Sequence, residues 1–182
     1  MVALLPNGDA AIVTVRKGVE VNGSIVCGVD GSPDSKLALG VAAQFARRLG
    51  ARLVVANVVA YVADPVVPAF AYAPMAPLTE FGPPMTERRT DADMEASEAL
   101  LEHIVAEAGV EGAELRTMLG IPAEQLAELA DDEGADLIVV GSRGRGAFKA
   151  AFLGSVSNSL IGIARCPVLV VPRGAVETAA AP

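Results

Sequence analysis

Five short strand-like runs, four of them apolar, separated by four helical patterns leave this chain few folds to choose from. The runs are Ser24–Val29, Leu53–Val59, Glu114–Leu119, Leu137–Val140 and Val168–Val171. Several are almost continuously apolar rather than alternating, as suits strands covered on both faces. Strict strand–helix alternation predicts an α/β fold: a single open five-stranded parallel sheet with helices on both faces. In such sheets a ligand binds beyond the carboxyl ends of the strands, where the strand order reverses. If the first and fourth runs are neighbours there, Asp30 and Gly141 face one crevice.

Local signals set the helix limits. Asp30-Gly31-Ser32-Pro33 is a turn, with Ser32 as N-cap and Pro33 at the first helical position. Leu37, Val41, Phe45 and Leu49 follow at a spacing of four and are the expected inner face. Gly50 suits the C′ position. A second helix is expected over Met85–Ala108, with Leu100, Leu101, Ile104 and Val105 buried and Gly109 as its stop. Gly120-Ile121-Pro122 opens a third, with Leu126, Leu129 and Ala130 inward and Gly134 at its end. The fourth covers Gly154–Ala164, before Cys166-Pro167.

The 182 residues suit one domain, residues 23–173, with additions. Residues 1–22 are an N-terminal extension that can form a small hairpin, with Ala11–Val15 as a short strand. Residues 61–84, rich in Pro and Ala, are an inserted loop or lid. Residues 174–182 are a flexible tail. Four prolines, Pro65, Pro68, Pro74 and Pro77, exclude a membrane helix from the longest nearly uncharged region. No basic, apolar leader is present at the N-terminus. The net charge of −8 argues against general nucleic-acid binding. Two cysteines, Cys27 and Cys166, are too few for a disulfide framework and read as small buried hydrophobes of a cytoplasmic protein. The one histidine, His103, has no neighbouring ligand in sequence and reads as a surface residue.

The chemistry is concentrated between Leu137 and Pro172. No acidic residue occurs from Leu137 to Val176, whereas Arg143, Arg145, Lys149, Arg165 and Arg173 are basic. A cationic, glycine-rich strand-to-helix turn on an acidic chain suggests an anion site. Gly141 and Gly146 have the spacing of a P-loop, but Ala147 and Phe148 stand where its Lys and Ser/Thr belong. A dinucleotide fingerprint starting at Gly144 would need its third glycine at Lys149. The pattern that fits is Gly-x2-Gly-x9-Gly-Ser, met by Gly141, Gly144, Gly154 and Ser155.

With the Val29-Asp30-Gly31-Ser32 turn, the Ala135–Gly144 strand end and Gly154-Ser155-Val156-Ser157 through Cys166–Pro172, this chain resembles the ATP-binding branch of the universal stress protein family. The resemblance spans about Ser24 to Pro172 and implies adenine nucleotide α-hydrolase-like, or flavodoxin-like, layering. It also implies ATP. From the residues themselves, Asp30 can help bind Mg²⁺ through a phosphate-linked water. Phosphate contacts are implied from Gly141, Gly144, Gly154, Ser155, Val156 and Ser157, and ribose- or phosphate-side contacts from Asp30. Backbone contacts to adenine are implied near Val58. Ser142, Arg143, Arg145 and Gly146 complete the expected loop. Gly141 and Gly144 permit positive φ and let backbone N–H groups approach phosphate oxygens closely. Gly28, with no side chain, is expected to let the nucleotide lie close. Each has a plainer alternative: Asp30 can cap its own turn, Ser157 can cap a helix, and loop arginines can be solvated.

The resemblance further implies a homodimer through Val168–Val171, an apolar strand expected at a sheet edge. The sequence shows no catalytic triad, P-loop lysine or metal cage. The leading expectation is therefore an ATP-binding stress-response regulator whose conformation or partner binding follows nucleotide occupancy. A slow ATPase or phosphotransferase on the same site is the second reading. An interaction module without nucleotide is the third, and a flavin carrier the fourth.

Overall fold

The computed structural model describes residues 2–4, 10–14, 23–60, 85–144 and 153–172. The parallel strands are β3 (Ser24–Gly28), β4 (Arg52–Ala60), β5 (Glu114–Gly120), β6 (Ala135–Gly141) and β7 (Val168–Val171). Between them run α1 (Pro33–Leu49), α2 (Met85–Glu107), α3 (Pro122–Asp132) and α4 (Ser155–Ile163). Two further strands, β1 (Val2–Leu4) and β2 (Ala10–Thr14), precede the first of these. The sheet order is β1-β2-β7-β6-β3-β4-β5. All four pairings among β3–β7 are parallel, so the expected five-stranded parallel sheet is present. β3 lies between β4 and β6, which places the reversal where Asp30 and Gly141 leave the sheet.

Each face has its own core. Ile25, Cys27, Leu53, Val55, Val139 and Leu169 pack with α1 and α2, whereas Val26, Val54, Ala56, Ile138, Val140 and Val168 pack with α3 and α4. Successive residues of one strand thus serve opposite cores, which explains the near-continuous apolar runs. The α1 limits follow from its ends. Ser32 Oγ accepts the Ser35 N–H at 3.2 Å, Pro33 occupies the first turn, and Gly50 closes the helix at φ 66°.

The face that α1 buries differs from the expected one. Ala38, Leu39, Ala42, Ala43 and Ala46 are buried, whereas Leu37, Val41 and Phe45 only flank the core and Leu49 is exposed. Alanines let the helix sit close to β3, β6 and β7, and the bulky stripe wraps its side.

The expected dimer seam also needs correction. β7 is not an edge strand, because β2 pairs antiparallel with it through Ile12↔Val170, Val13↔Leu169 and Thr14↔Val168. The backbone groups that a twin strand would use are engaged within the chain, and β1 in turn pairs with β2. Light scattering tests association against the mass of one chain, 18.5 kDa. Twice that mass would mean that another surface associates, or that β2 leaves β7.

Cys27 is fully buried, and burial pushes its thiol up to about 12 from 9.0. Cys166, half-buried, is raised in the same direction by desolvation. Both are free. In the unfolded chain the Cys27 thiol ionises first, so stability should fall as pH rises from about 9 towards 12. Cys27→Ala should lessen that fall in urea titrations at pH 8 and pH 10.5. Native Cys27 should also resist a thiol-specific reagent at pH 8 until the chain unfolds.

Among the described residues no helix is long and apolar enough to cross a membrane, and no cluster of His, Cys, Asp and Glu could hold a metal ion. His103 is largely exposed, 3.8 Å from Glu107 on the same helix.

Candidate functional site

Because β3 and β6 are parallel neighbours, the turns that follow them emerge side by side. Hydrogen bonds join the two turns. Ser32 Oγ donates to the Arg143 carbonyl at 3.2 Å, and buried Ser142 Oγ donates to Asp34 Oδ2 at 2.9 Å. The Ser142 N–H donates to the Val171 carbonyl at 2.8 Å. The start of α4 is fastened to the same loop: the Gly154 N–H donates to the Ser142 carbonyl at 2.7 Å, and Ser157 Oγ to the Gly141 carbonyl at 3.1 Å. Three segments distant in sequence are thereby held around one opening.

That opening is a cavity of about 490 Å³ at the carboxyl ends of the strands. Its apolar wall includes Ala56, Val58, Leu126, Val140 and Leu153. Its polar side includes Asp30, Arg143, Gly144 and the first residues of α4, Ser155, Val156 and Ser157. No side chain caps α4. The first N–H groups of a helix have no partner inside it, and the helix dipole makes that end attractive to an anion by about 0.3–2 kcal/mol. Arg143 adds a cation whose Nε is buried and has no hydrogen-bond partner. The arrangement can hold a molecule with an apolar, flat part and an anionic part.

Of the expected residues, Gly28, Asp30, Val58, Gly141, Arg143, Gly144, Gly154, Ser155, Val156 and Ser157 line this cavity. Arg145 and Gly146 lie outside the described residues, as do Lys149 and the inserted loop, residues 61–84. Ser142 is a departure: its side chain is buried against Asp34 rather than lining the cavity. Ser157 Oγ and the Gly154 N–H are committed to loop carbonyls, so they brace the site. Asp30 does what its plainer alternative required, accepting the Ser32 N–H on Oδ1 at 3.0 Å, and it also lines the cavity.

The glycines serve space rather than positive φ. Neither Gly141 nor Gly144 is among the positive-φ glycines. A Cβ on Gly141 would lie 2.7 Å from the Asp34 carbonyl carbon and 2.8 Å from the Ser35 nitrogen, so β6 ends directly against the first turn of α1. A Cβ on Gly144 would lie 2.6 Å from Asp30 Oδ2. At Gly28 the space is taken by Leu126, 2.7 Å from where a Cβ would stand. Its missing side chain is therefore required by the packing of α3.

Sequence reasoning passed over Asn57, Leu126, Pro122 and Leu153, which also line the cavity, and Asp34, which is buried behind it. Leu126 and Leu153 carry no mark beyond hydrophobicity. Asn57 had one available signal: an amide inside the apolar run Leu53–Val59 requires buried partners.

The universal stress protein family model matches residues 22–172. A universal stress protein of Thermus aquaticus, named for its position in a QAH/OAS sulfhydrylase 3′ region, is 35% identical over 148 residues, 81% of this chain and 97% of that protein. Other curated universal stress proteins are matched over 32 to 50% of their own length. Among solved structures, the universal stress protein UspA of Lactobacillus plantarum superposes with a TM-score of 0.67 at 22% identity, covering 84% of this chain and 99% of that one. A universal stress protein solved in complex with cAMP superposes with a TM-score of 0.58 at 26% identity, covering 84% and 98%. With its parallel sheet, its glycine-spaced loop and a family match across the whole of both, this chain belongs to the universal stress protein family.

Proposed function

We propose that this chain is an ATP-binding regulatory protein of the stress response, in which occupancy of the cavity sets its conformation or its binding of a partner. The observation that carries this reading is the cavity's polarity. One side is the uncapped start of α4 with the orphaned Arg143 Nε, and the other is an apolar wall. A volume of about 490 Å³ falls within the usual span for small-molecule sites, roughly 300–1,000 Å³. Val58, Ala56 and Leu126 would hold the base. Asp30 would meet the ribose or, through water, Mg²⁺. Gly144, Arg143 and the N–H groups of Ser155 and Val156 would hold the phosphates, and Arg145 and Gly146 follow next in the sequence. The Gly141 neighbourhood keeps this loop close to α1. The protein's part is binding and orientation. Asp30 is the one carboxylate among the described residues that line the cavity, and its Oδ1 already accepts the Ser32 N–H, so it makes a poor general base.

The test is to heat-denature the purified protein, identify by mass any small molecule released, and titrate the ligand-free chain with ATP, ADP, AMP and cAMP by calorimetry. Saturable binding with ATP the tightest is the expected result. A preference for cAMP would keep the site and change its ligand, in line with the relative solved with cAMP. Absence of binding by all four would overturn the reading. Phosphate release from Mg-ATP that disappears in Gly144→Glu would assign slow hydrolysis to this cavity.

A further inference from the structure

Beneath α2 lies a line of polar groups in an otherwise apolar core. Asn57 Nδ2 donates to the Val29 carbonyl at 2.6 Å. Asn57 Oδ1 accepts from Ser97 Oγ at 2.7 Å, and Thr117 Oγ1 lies 3.3 Å from the same hydroxyl. Asn57 and Ser97 are buried. Their direction can be worked out. An amide oxygen only accepts, so the single Ser97 proton goes to Asn57, and the Thr117 hydroxyl is left to donate to Ser97. The chain then runs from β5 through α2 and β4 to the end of β3. Its last acceptor, Val29, and its amide, Asn57, both line the cavity. Val29 is also the residue before Asp30, and its own N–H is held by the Ala56 carbonyl at 2.8 Å.

Ser97 is the one buried polar residue that the described part of α2 contributes. It meets a residue 40 positions away, three before the end of β4. We infer that Asn57 is a positioning residue that sets the β3 end of the cavity, and that the Ser97 hydroxyl couples the seating of α2 to ligand binding there. This rests on the nucleotide reading above and adds to it the route by which occupancy reaches another part of the molecule. If α2 shifts from the sheet, Asn57 Oδ1 loses its donor, and a buried unpaired acceptor is costly. The amide then turns to find one, and the Val29 carbonyl loses its hold. Linkage requires the converse: a ligand that favours the ordered Val29–Asp30 turn must favour the seated α2 by the same factor.

The experiment compares wild type, Ser97→Ala, Ser97→Thr and Ser97→Cys, each as the full chain. ATP affinity is measured by calorimetry, and amide hydrogen exchange in residues 91–107 is followed with and without ATP. ATP is expected to slow exchange in α2 of the wild type at least threefold. Ser97→Ala is expected to weaken ATP binding about 5- to 20-fold, within the usual span of site-to-site coupling, and to abolish the ATP effect on α2. Ser97→Thr, which restores a hydroxyl, should recover most of both. Ser97→Cys, of similar size but with only a weak S–H donor, supplies the same comparison where Ser97→Ala does not fold. Wild-type affinity with undiminished ATP protection of α2 in the Ser97→Ala or Ser97→Cys protein would overturn the coupling alone. So would α2 exchange that ATP leaves unchanged in the wild type. Failure of the wild type to bind any adenine nucleotide would overturn both this inference and the reading it rests on.

Discussion

Gly144→Glu is expected to weaken ATP binding about 30- to 150-fold while leaving the melting temperature within about 2 °C of wild type. The new Cβ would stand 2.6 Å from Asp30 Oδ2, so the side chain projects into the mouth of the cavity beside a carboxylate. Two effects then oppose a nucleotide. The new carboxylate takes phosphate space, and it adds a negative charge where Arg143 and the α4 N–H groups favour an anion. Two unit charges 4 Å apart at an effective dielectric of about 20 interact by about 4 kcal/mol, and partial exposure reduces this to about 2–3 kcal/mol. Stability should hardly change, because Gly144 is exposed, its φ is not positive, and the atom in the way is the end of a side chain that can turn. Gly144→Ala is the matching control, with a loss of about fivefold or less. Calorimetric titration alongside thermal melts checks both variants. Equal affinity in Gly144→Glu and wild type would remove this loop from the binding site.

Gly141→Ala acts in the opposite way, on stability first. Its Cβ would meet the Asp34 carbonyl carbon, the Ser35 nitrogen and the Asp34 carbonyl oxygen at 2.7, 2.8 and 2.9 Å. These are backbone atoms in the first turn of α1, a turn fixed by Pro33 and the Ser32 cap, so they cannot step aside singly. Either β6 or α1 must move, and overpacking of this kind costs about 1–3 kcal/mol. For a chain of this size that lowers the melting temperature by about 3–10 °C. The same shift pulls Ser142 from Asp34, so the loop that borders the cavity loosens as well. Gly40→Ala is the informative contrast. Gly40 lies within α1, has no atom within 4 Å of a Cβ and no positive φ, so the substitution should stabilise by about 0.5–1 kcal/mol. If Gly141→Ala melts as wild type does, the close seating of β6 on α1 is wrong.

The site was legible in outline because its parts are backbone features with local signatures. A strand that stops at a glycine, a helix that opens on Gly-Ser, and the spacing between them can each be read without knowing the fold. Their physical roles were less legible. Gly141 was read as permitting positive φ and close approach to phosphate, yet its missing side chain is required by α1, a segment more than 100 residues earlier in the chain. Ser157 was a phosphate contact, and Ser142 a member of the same loop, only through the family resemblance. Their actual acceptors, Asp34 and the Gly141 carbonyl, become neighbours only when α1, β6 and α4 assemble. The Asn57–Ser97 pair is invisible in one dimension, since no local pattern joins an amide in a strand to a hydroxyl on a later helix.

By itself the sequence determined the alternation of strands and helices, the first-strand and fourth-strand turns as neighbours at one crevice, and the family. Apolar period, caps and glycine stops act within a few residues and are written locally. Tertiary structure decided which face α1 buries, because the closeness of helix to sheet selected alanines over larger side chains. It decided what each glycine is for, since a forbidden Cβ is a fact about neighbours. It also decided that β7 is an inner strand, because strand pairing is set by which edge a distant segment reaches first. The stretch Leu137–Pro172 supplies the loop, but the cavity exists only because β3, α1 and α3 close around it.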